Sequence, residues 1–111
     1  MDKINSYLKE NSKCIIIDGR KYCQPTKRIV CKDGFTISVQ ANANAYCEPR
    51  ENEAWSYSEV ELGFPSSLDP LIAEYAEEPD TTETVFAYVP IAVVNELIDR
   101  HGGIFKNEGE A

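Results

Sequence analysis

Two β-rich runs meet at Asp33-Gly34: Arg28-Ile29-Val30-Cys31-Lys32 precedes it and Phe35-Thr36-Ile37-Ser38-Val39-Gln40 follows it. No other local feature limits the fold as tightly. Asp and Gly tolerate the positive φ that both central positions of a tight hairpin turn require, so the dipeptide predicts a two-residue hairpin. That turn sets a register in which Lys32 opposes Phe35, Cys31 opposes Thr36, Val30 opposes Ile37 and Ile29 opposes Ser38. Because side chains alternate across a strand, Val30, Phe35, Ile37 and Val39 form the expected core face. Ile29, Cys31, Thr36, Ser38 and Gln40 form the other.

The remaining elements are short. Ile4, Tyr7 and Leu8 at helical spacing predict a helix over Asn5–Glu10, and Cys14-Ile15-Ile16-Ile17 reads as a buried strand ended by a turn at Asp18-Gly19. Residues 42–56 carry no period and read as a long loop. Tyr57 to Phe64 alternates, with Val60, Leu62 and Phe64 on one side and Glu59 and Glu61 on the other. After Pro65, Ser66 or Ser67 is placed to cap a helix whose stripe is Leu68, Leu71, Ile72, Tyr75 and Ala76. Thr84–Val89 is apolar on both faces and reads as a central strand. Pro90 suits a helix start, Ile91, Val94, Leu97, Ile98 and His101 form the stripe, and Gly102-Gly103 ends it. The order implies an α+β fold: an antiparallel or mixed sheet of about four to five strands with two or three helices packed mainly on one face.

A length of 111 residues and a hydrophobic fraction of 42% fit one domain, 1–111, with a loose polar tail from about residue 106. The longest aliphatic run, Ile15–Ile17, is far below the ~20 apolar residues of a membrane span. The start, Met1-Asp2-Lys3-Ile4-Asn5, has no basic region followed by an apolar run, so the expectation is a cytoplasmic protein. In that compartment Cys14, Cys23, Cys31 and Cys47 are expected reduced. Their spacings of nine, eight and sixteen fit no zinc knuckle, so we expect metal-free thiols, with Cys14 and Cys31 buried in the sheet and Cys23 and Cys47 the pair best able to approach each other.

The net charge of −8 is unevenly spread. Residues 1–40 carry eight Lys/Arg against four acids, whereas residues 41–111 carry three against fifteen. Such polarity disfavours nucleic-acid binding and favours a basic protein partner for the second part, or self-association of the basic N-terminal part with the acidic C-terminal part. Glu74, Glu77, Glu78, Asp80 and Glu83 concentrate the acidity and are the candidate partner-binding residues.

No catalytic motif, Walker loop or dinucleotide fingerprint occurs, which favours a non-enzymatic protein without a cofactor. Sole histidine His101 falls at a helix end, where a capping or half-buried role is the expectation. Asp18, Asp33 and Glu61 are the acids a metal-dependent nuclease would use, but Asp18 and Asp33 occupy turn positions that turn chemistry alone explains. The alternative is a small-molecule or nucleotide site on the polar hairpin face, with Ser38 and Gln40 lining it and Arg50 as the anion contact. Tyr46, Trp55 and Tyr57 are candidate interface anchors.

Several blocks lie in a recognisable order: Val30-Cys31-Lys32-Asp33-Gly34-Phe35, Ser38-Val39-Gln40-Ala41, Tyr46-Cys47-Glu48-Pro49-Arg50, Val60-Glu61-Leu62-Gly63-Phe64-Pro65-Ser66, Tyr75-Ala76-Glu77, and Tyr88-Val89-Pro90 up to His101-Gly102-Gly103-Ile104. Together, over about residues 28–104, they resemble a group of small uncharacterised proteins encoded by bacteriophages and prophages. The resemblance implies an accessory protein working in the host cytoplasm, binding and modulating a host protein such as a restriction or CRISPR defence component.

Overall fold

Helix α1 (Lys3–Asn11) begins where the Asp2 carboxylate accepts hydrogen bonds from the backbone N–H groups of Ile4 and Asn5, two of the donors that a helix start leaves unpaired. In the computed structural model, which describes residues 2–106, strands β1 (Lys13–Ile17) and β2 (Arg20–Gln24) follow as an antiparallel pair. They form a sheet of their own. The second sheet is antiparallel in the order β3-β4-β5-β6, from Ile29–Val30, Thr36–Gln40, Glu59–Gly63 and Val85–Pro90. Helix α2 (Ile91–Arg100) follows β6 directly, and a short 3-10 helix, Pro70–Tyr75, lies between β5 and β6. The α+β class with antiparallel sheets is as expected.

One core joins the helices to the larger sheet. Ile4 and Leu8 of α1 and Val94, Leu97 and Ile98 of α2 are buried with Ile29, Ile37, Val39, Val60 and Leu62. Removing apolar surface of this kind from water contributes roughly 25 cal/mol per Å², the largest favourable contribution to folding. Asn5 is buried yet satisfied: its side-chain amide donates to the Tyr57 carbonyl and its oxygen accepts from the Tyr57 N–H, which fixes α1 to the long loop. At the other end α2 closes as expected from Gly102-Gly103. The Gly103 N–H donates to the Ile98 carbonyl and the Gly102 N–H to the Asp99 carbonyl, with both glycines at positive φ.

Five expectations fail. The hairpin at Asp33-Gly34 has a three-residue loop, Lys32–Gly34, with only Gly34 at positive φ. The Cys31 N–H donates to the Phe35 carbonyl, and Ile29 pairs with Ile37 and Val30 with Thr36. A slip of one residue turns every side chain of that arm over. Ile29 and Cys31 are therefore core and Val30 is exposed. The loop is selected by what it docks on, since Lys32 and Asp33 donate their N–H groups to the Gly103 and His101 carbonyls at the end of α2. A side chain on Gly102 would bring its Cβ to 3.2 Å from that of Lys32.

Strand β1 is not buried. It pairs only with β2 and has no neighbour to cover it, leaving Ile15, Ile16 and Ile17 exposed, Ile16 by 73%. Phe64 does not continue the β5 stripe: the chain turns there through φ 49° and the ring is half exposed. Strand β6 lies at the sheet edge rather than its centre, and its alternation breaks at Tyr88, whose φ is 52°. The stripe from Leu68 to Ala76 yields only a six-residue 3-10 helix, capped by Asp69 rather than by a serine, with Ile72 alone buried. The polar tail beyond Lys106 lies outside the described residues.

Candidate functional site

Six acids and no basic residue occupy positions 69–83. Glu74, Glu77, Glu78, Asp80 and Glu83 are all exposed, and the loop that carries them is pinned at both ends. The Glu77 N–H donates to the Val85 carbonyl, the Glu78 N–H to Thr84 Oγ1 and the Glu83 N–H to Thr81 Oγ1. Pinning matters because a loop whose backbone is already held meets a partner without the entropy cost of ordering that backbone on contact. Beside the acids lies a recess of about 300 Å³, whose apolar lining includes Leu68, Pro70, Ala73, Ala76 and Phe86, with Asp69 and Asp80 also in its wall. Leu68 is exposed at its mouth. The five sequence-selected acids thus share one lobe with an apolar depression that the charge pattern did not reveal.

The alternative ligand residues are brought together only in part. Ser38 and Gln40 line a cleft of about 480 Å³ between the β1–β2 hairpin and the larger sheet, with Lys21, Asn42, Asn52 and Glu61. Arg50 is not in its wall; its guanidinium lies 5.7 Å from the centre of the Tyr46 ring. The polar groups in the cleft are largely engaged with one another. Gln40 donates to the Thr26 carbonyl and Ser38 Oγ and accepts from the Thr26 N–H, and Lys21 pairs with Glu53.

The nuclease acids do not converge. Asp18 is in the β1–β2 turn, Asp33 is held by His101, and Glu61 accepts from the Tyr46 N–H. Among the described residues, the one grouping with metal-ligand spacing is Cys14, Cys23 and Glu53. Both its sulfurs are joined in a disulfide.

That disulfide corrects the expectation of four free thiols. Cys31 and Cys47 are free and buried, and their thiol pKa values are pushed up by burial, that of Cys31 to about 11 with help from the Asp33 charge. Neither thiolate is populated near neutrality, so these are inert packing groups. Cys14 is bonded to Cys23, its direct cross-strand neighbour, at a Cα separation of 4.0 Å, and lies half-buried at the base of the hairpin rather than in the core. The pairing was countable from the sequence. A two-residue turn at Asp18-Gly19 places Ile17 opposite Arg20 and, three steps on, Cys14 opposite Cys23.

Two other features escaped sequence reasoning. His101 does not simply cap α2: its Nδ1 lies 2.6 Å from Asp33 Oδ2 and its Nε2 3.2 Å from Asp69 Oδ2, while its ring stacks on Phe35 with centroids 3.9 Å apart. Burial disfavours the imidazolium, but the hydrogen bonds to Asp33 and Asp69 outweigh it and raise the His101 pKa. Through these two hydrogen bonds the cluster ties the Asp33 loop and the 3-10 helix to the end of α2. Trp55 is 79% exposed with Lys9 Nζ 4.2 Å above its ring, whereas Tyr57, grouped with it in sequence, is buried. No helix among the described residues is long and apolar enough to cross a membrane. In comparisons with known proteins, the chain matches no family model, no curated protein and no solved structure.

Proposed function

We propose that this chain is a non-enzymatic binding protein that engages a basic protein surface through the lobe of Glu74, Glu77, Glu78, Asp80 and Glu83. The observation that carries this reading is the pinned acidic loop standing beside an apolar recess. Like charges held close together repel one another in the free protein, and a basic partner relieves that repulsion. The recess takes an apolar anchor that charge alone would not select. In keeping with the phage resemblance, the partner is a host protein, with a restriction or CRISPR component as the class whose nucleic-acid groove supplies such a basic surface.

Capture from a bacterial host lysate tests this directly. Partners held at low salt should be released at high salt, and the double substitution Glu77→Lys with Glu78→Lys should abolish capture, since it removes most of the lobe's negative charge without touching a buried residue. Partners that survive high salt, or that bind the variant equally well, would sink the reading.

A second reading rests on the cleft lined by Ser38 and Gln40. A small anionic ligand or nucleotide there would meet Lys21 rather than Arg50. Isothermal titration with nucleotides, repeated on Lys21→Ala, decides it; absence of heat for the unsubstituted protein removes this alternative.

A further inference from the structure

The acidic recess has a complement on the same chain. The β1–β2 hairpin, Lys13–Gln24, carries Lys13, Arg20 and Lys21 against Asp18 alone, and exposes Ile15, Ile16, Ile17 and Tyr22. Residues directly opposite in a hairpin share a face, so Ile15 with Tyr22 and Ile17 with Arg20 make one surface: three apolar side chains with a cation at the tip. Neither Lys13 nor Arg20 forms an ion pair among the described residues. Exposed aliphatic side chains at this density signal a contact that the isolated chain leaves unmade.

The hairpin and the recess lie on opposite sides of the larger sheet. Tyr22, which is also half exposed, and Val85 line the cleft beneath the hairpin, and Phe86, the next residue of β6, lines the recess. Successive strand residues point to opposite faces of a sheet. A hairpin therefore projects on the side opposite its own recess, and the recess it fits belongs to another molecule.

We propose that the chain associates head to tail, the Ile15/Ile17/Tyr22 face of one copy's hairpin entering the Leu68–Phe86 recess of a second copy, with Arg20 meeting the acidic loop. The occupant is chosen by two matches at once, apolar on apolar and cation on anion, and the contact is heterologous: different surfaces meet, so each added copy leaves one hairpin and one recess open. This rests on reading the recess as the protein-binding site and names a second copy of this chain as a partner that fits it, in competition with any basic host protein.

Sedimentation velocity over a concentration series of about 10 µM to 1 mM reads the association directly, at low and high salt. The expected result is a mass that rises with concentration above the 12.5 kDa monomer at low salt and falls back at high salt. Ile15→Glu with Ile17→Glu, and separately Leu68→Glu with Ala73→Glu, alter exposed positions and should each give monomers, weakened at least ~10-fold. Unchanged urea midpoints exclude misfolding as the cause. Mixed together, the two variants should form a one-to-one complex and nothing larger, because the first retains a recess and the second a hairpin.

A monomer at all concentrations overturns the proposal, as does a recess variant that self-associates while the hairpin variant does not, which marks a hairpin-to-hairpin dimer instead. The two readings separate in the Leu68→Glu/Ala73→Glu protein. If it loses salt-sensitive host-partner capture although the unsubstituted chain is a monomer, the binding site stands and self-association falls. If it loses self-association but keeps capture, the host-binding reading falls.

Discussion

The chain contains two Asp-Gly hairpins, and they differ in nearly everything but the dipeptide. At Asp18-Gly19 both residues take positive φ, 51° and 77°, in the tight turn that the sequence chemistry favours, and Ile17 faces Arg20 across it. At Asp33-Gly34 only Gly34 does, at 98°, and the loop is one residue longer. The first hairpin stands clear of the core, so its turn is free to follow local preference. The second is held by the carbonyls of His101 and Gly103 and by burial of Ile29 and Ile37, and tertiary contacts override that preference. Turn chemistry chooses where a hairpin forms. What covers its arms chooses the register.

Truncating one isoleucine in each hairpin should separate the two most strongly. Ile37→Ala removes a fully buried side chain and should lower the unfolding free energy by about 2–5 kcal/mol, whereas Ile16→Ala should stay within about 0.5 kcal/mol of the unsubstituted protein. Urea unfolding of both measures it; equal losses would mean that the first hairpin belongs to the core after all.

Alanine at the turn glycines comes next. Gly34→Ala forces a Cβ into the left-handed region and should cost about 1–2 kcal/mol of global stability. Gly19→Ala meets the same local penalty, but should loosen only β1 and β2. Hydrogen exchange should show faster amides in Lys13–Gln24 with an unmoved urea midpoint.

The His101 cluster gives the second hairpin a pH dependence that the first lacks. The His101 pKa is raised above 6.5 by its aspartates, so its stabilisation is complete below pH 6.5 and is lost as pH rises through the folded-state value. The Asp33 carboxyl is held below 3.8 by the Phe35 N–H and by His101, so its share is present above pH 3.8 and is lost as pH falls through the lower folded value. Thermal unfolding should therefore show greatest stability between these limits, and His101→Gln should flatten the alkaline side. A variant that keeps the full decline would assign it to another group.

Reduction of the Cys14–Cys23 bond should have the smallest effect on the whole. An isolated two-stranded hairpin is marginal in water, so opening the bond should abolish amide protection in β1 and β2. The urea midpoint should scarcely move, because the cross-link constrains an element that unfolds apart from the core. A large shift in the midpoint would show that the two hairpins unfold together.

Legibility in the sequence followed the same division. Helix α2 was readable from Pro90 to Gly103 because its apolar stripe, its start and its glycine stop all agree, and the acids of residues 74–83 were readable because charge needs no fold to be counted. Ile15–Ile17 misled, since three aliphatic residues look like core whether or not anything covers them. Ile29 and Val30 exchanged places because one residue of loop length, set by contacts with residues 101 and 103, decides which face each meets. The recess between Leu68 and Phe86 and the clamp of Asp33, His101 and Asp69 join residues far apart in the chain, and no local pattern encodes either.

Separation of the first hairpin from the core also bears on how this chain can vary. No residue from Lys13 to Gln24 belongs to the buried core, and the hairpin's shape is held by one turn, the ladder between its two strands and one covalent bond. Its outward positions can be rewritten without repacking anything beneath them. Substitutions there change the face that the hairpin presents while leaving its frame, the β1–β2 ladder and the Cys14–Cys23 bond, in place.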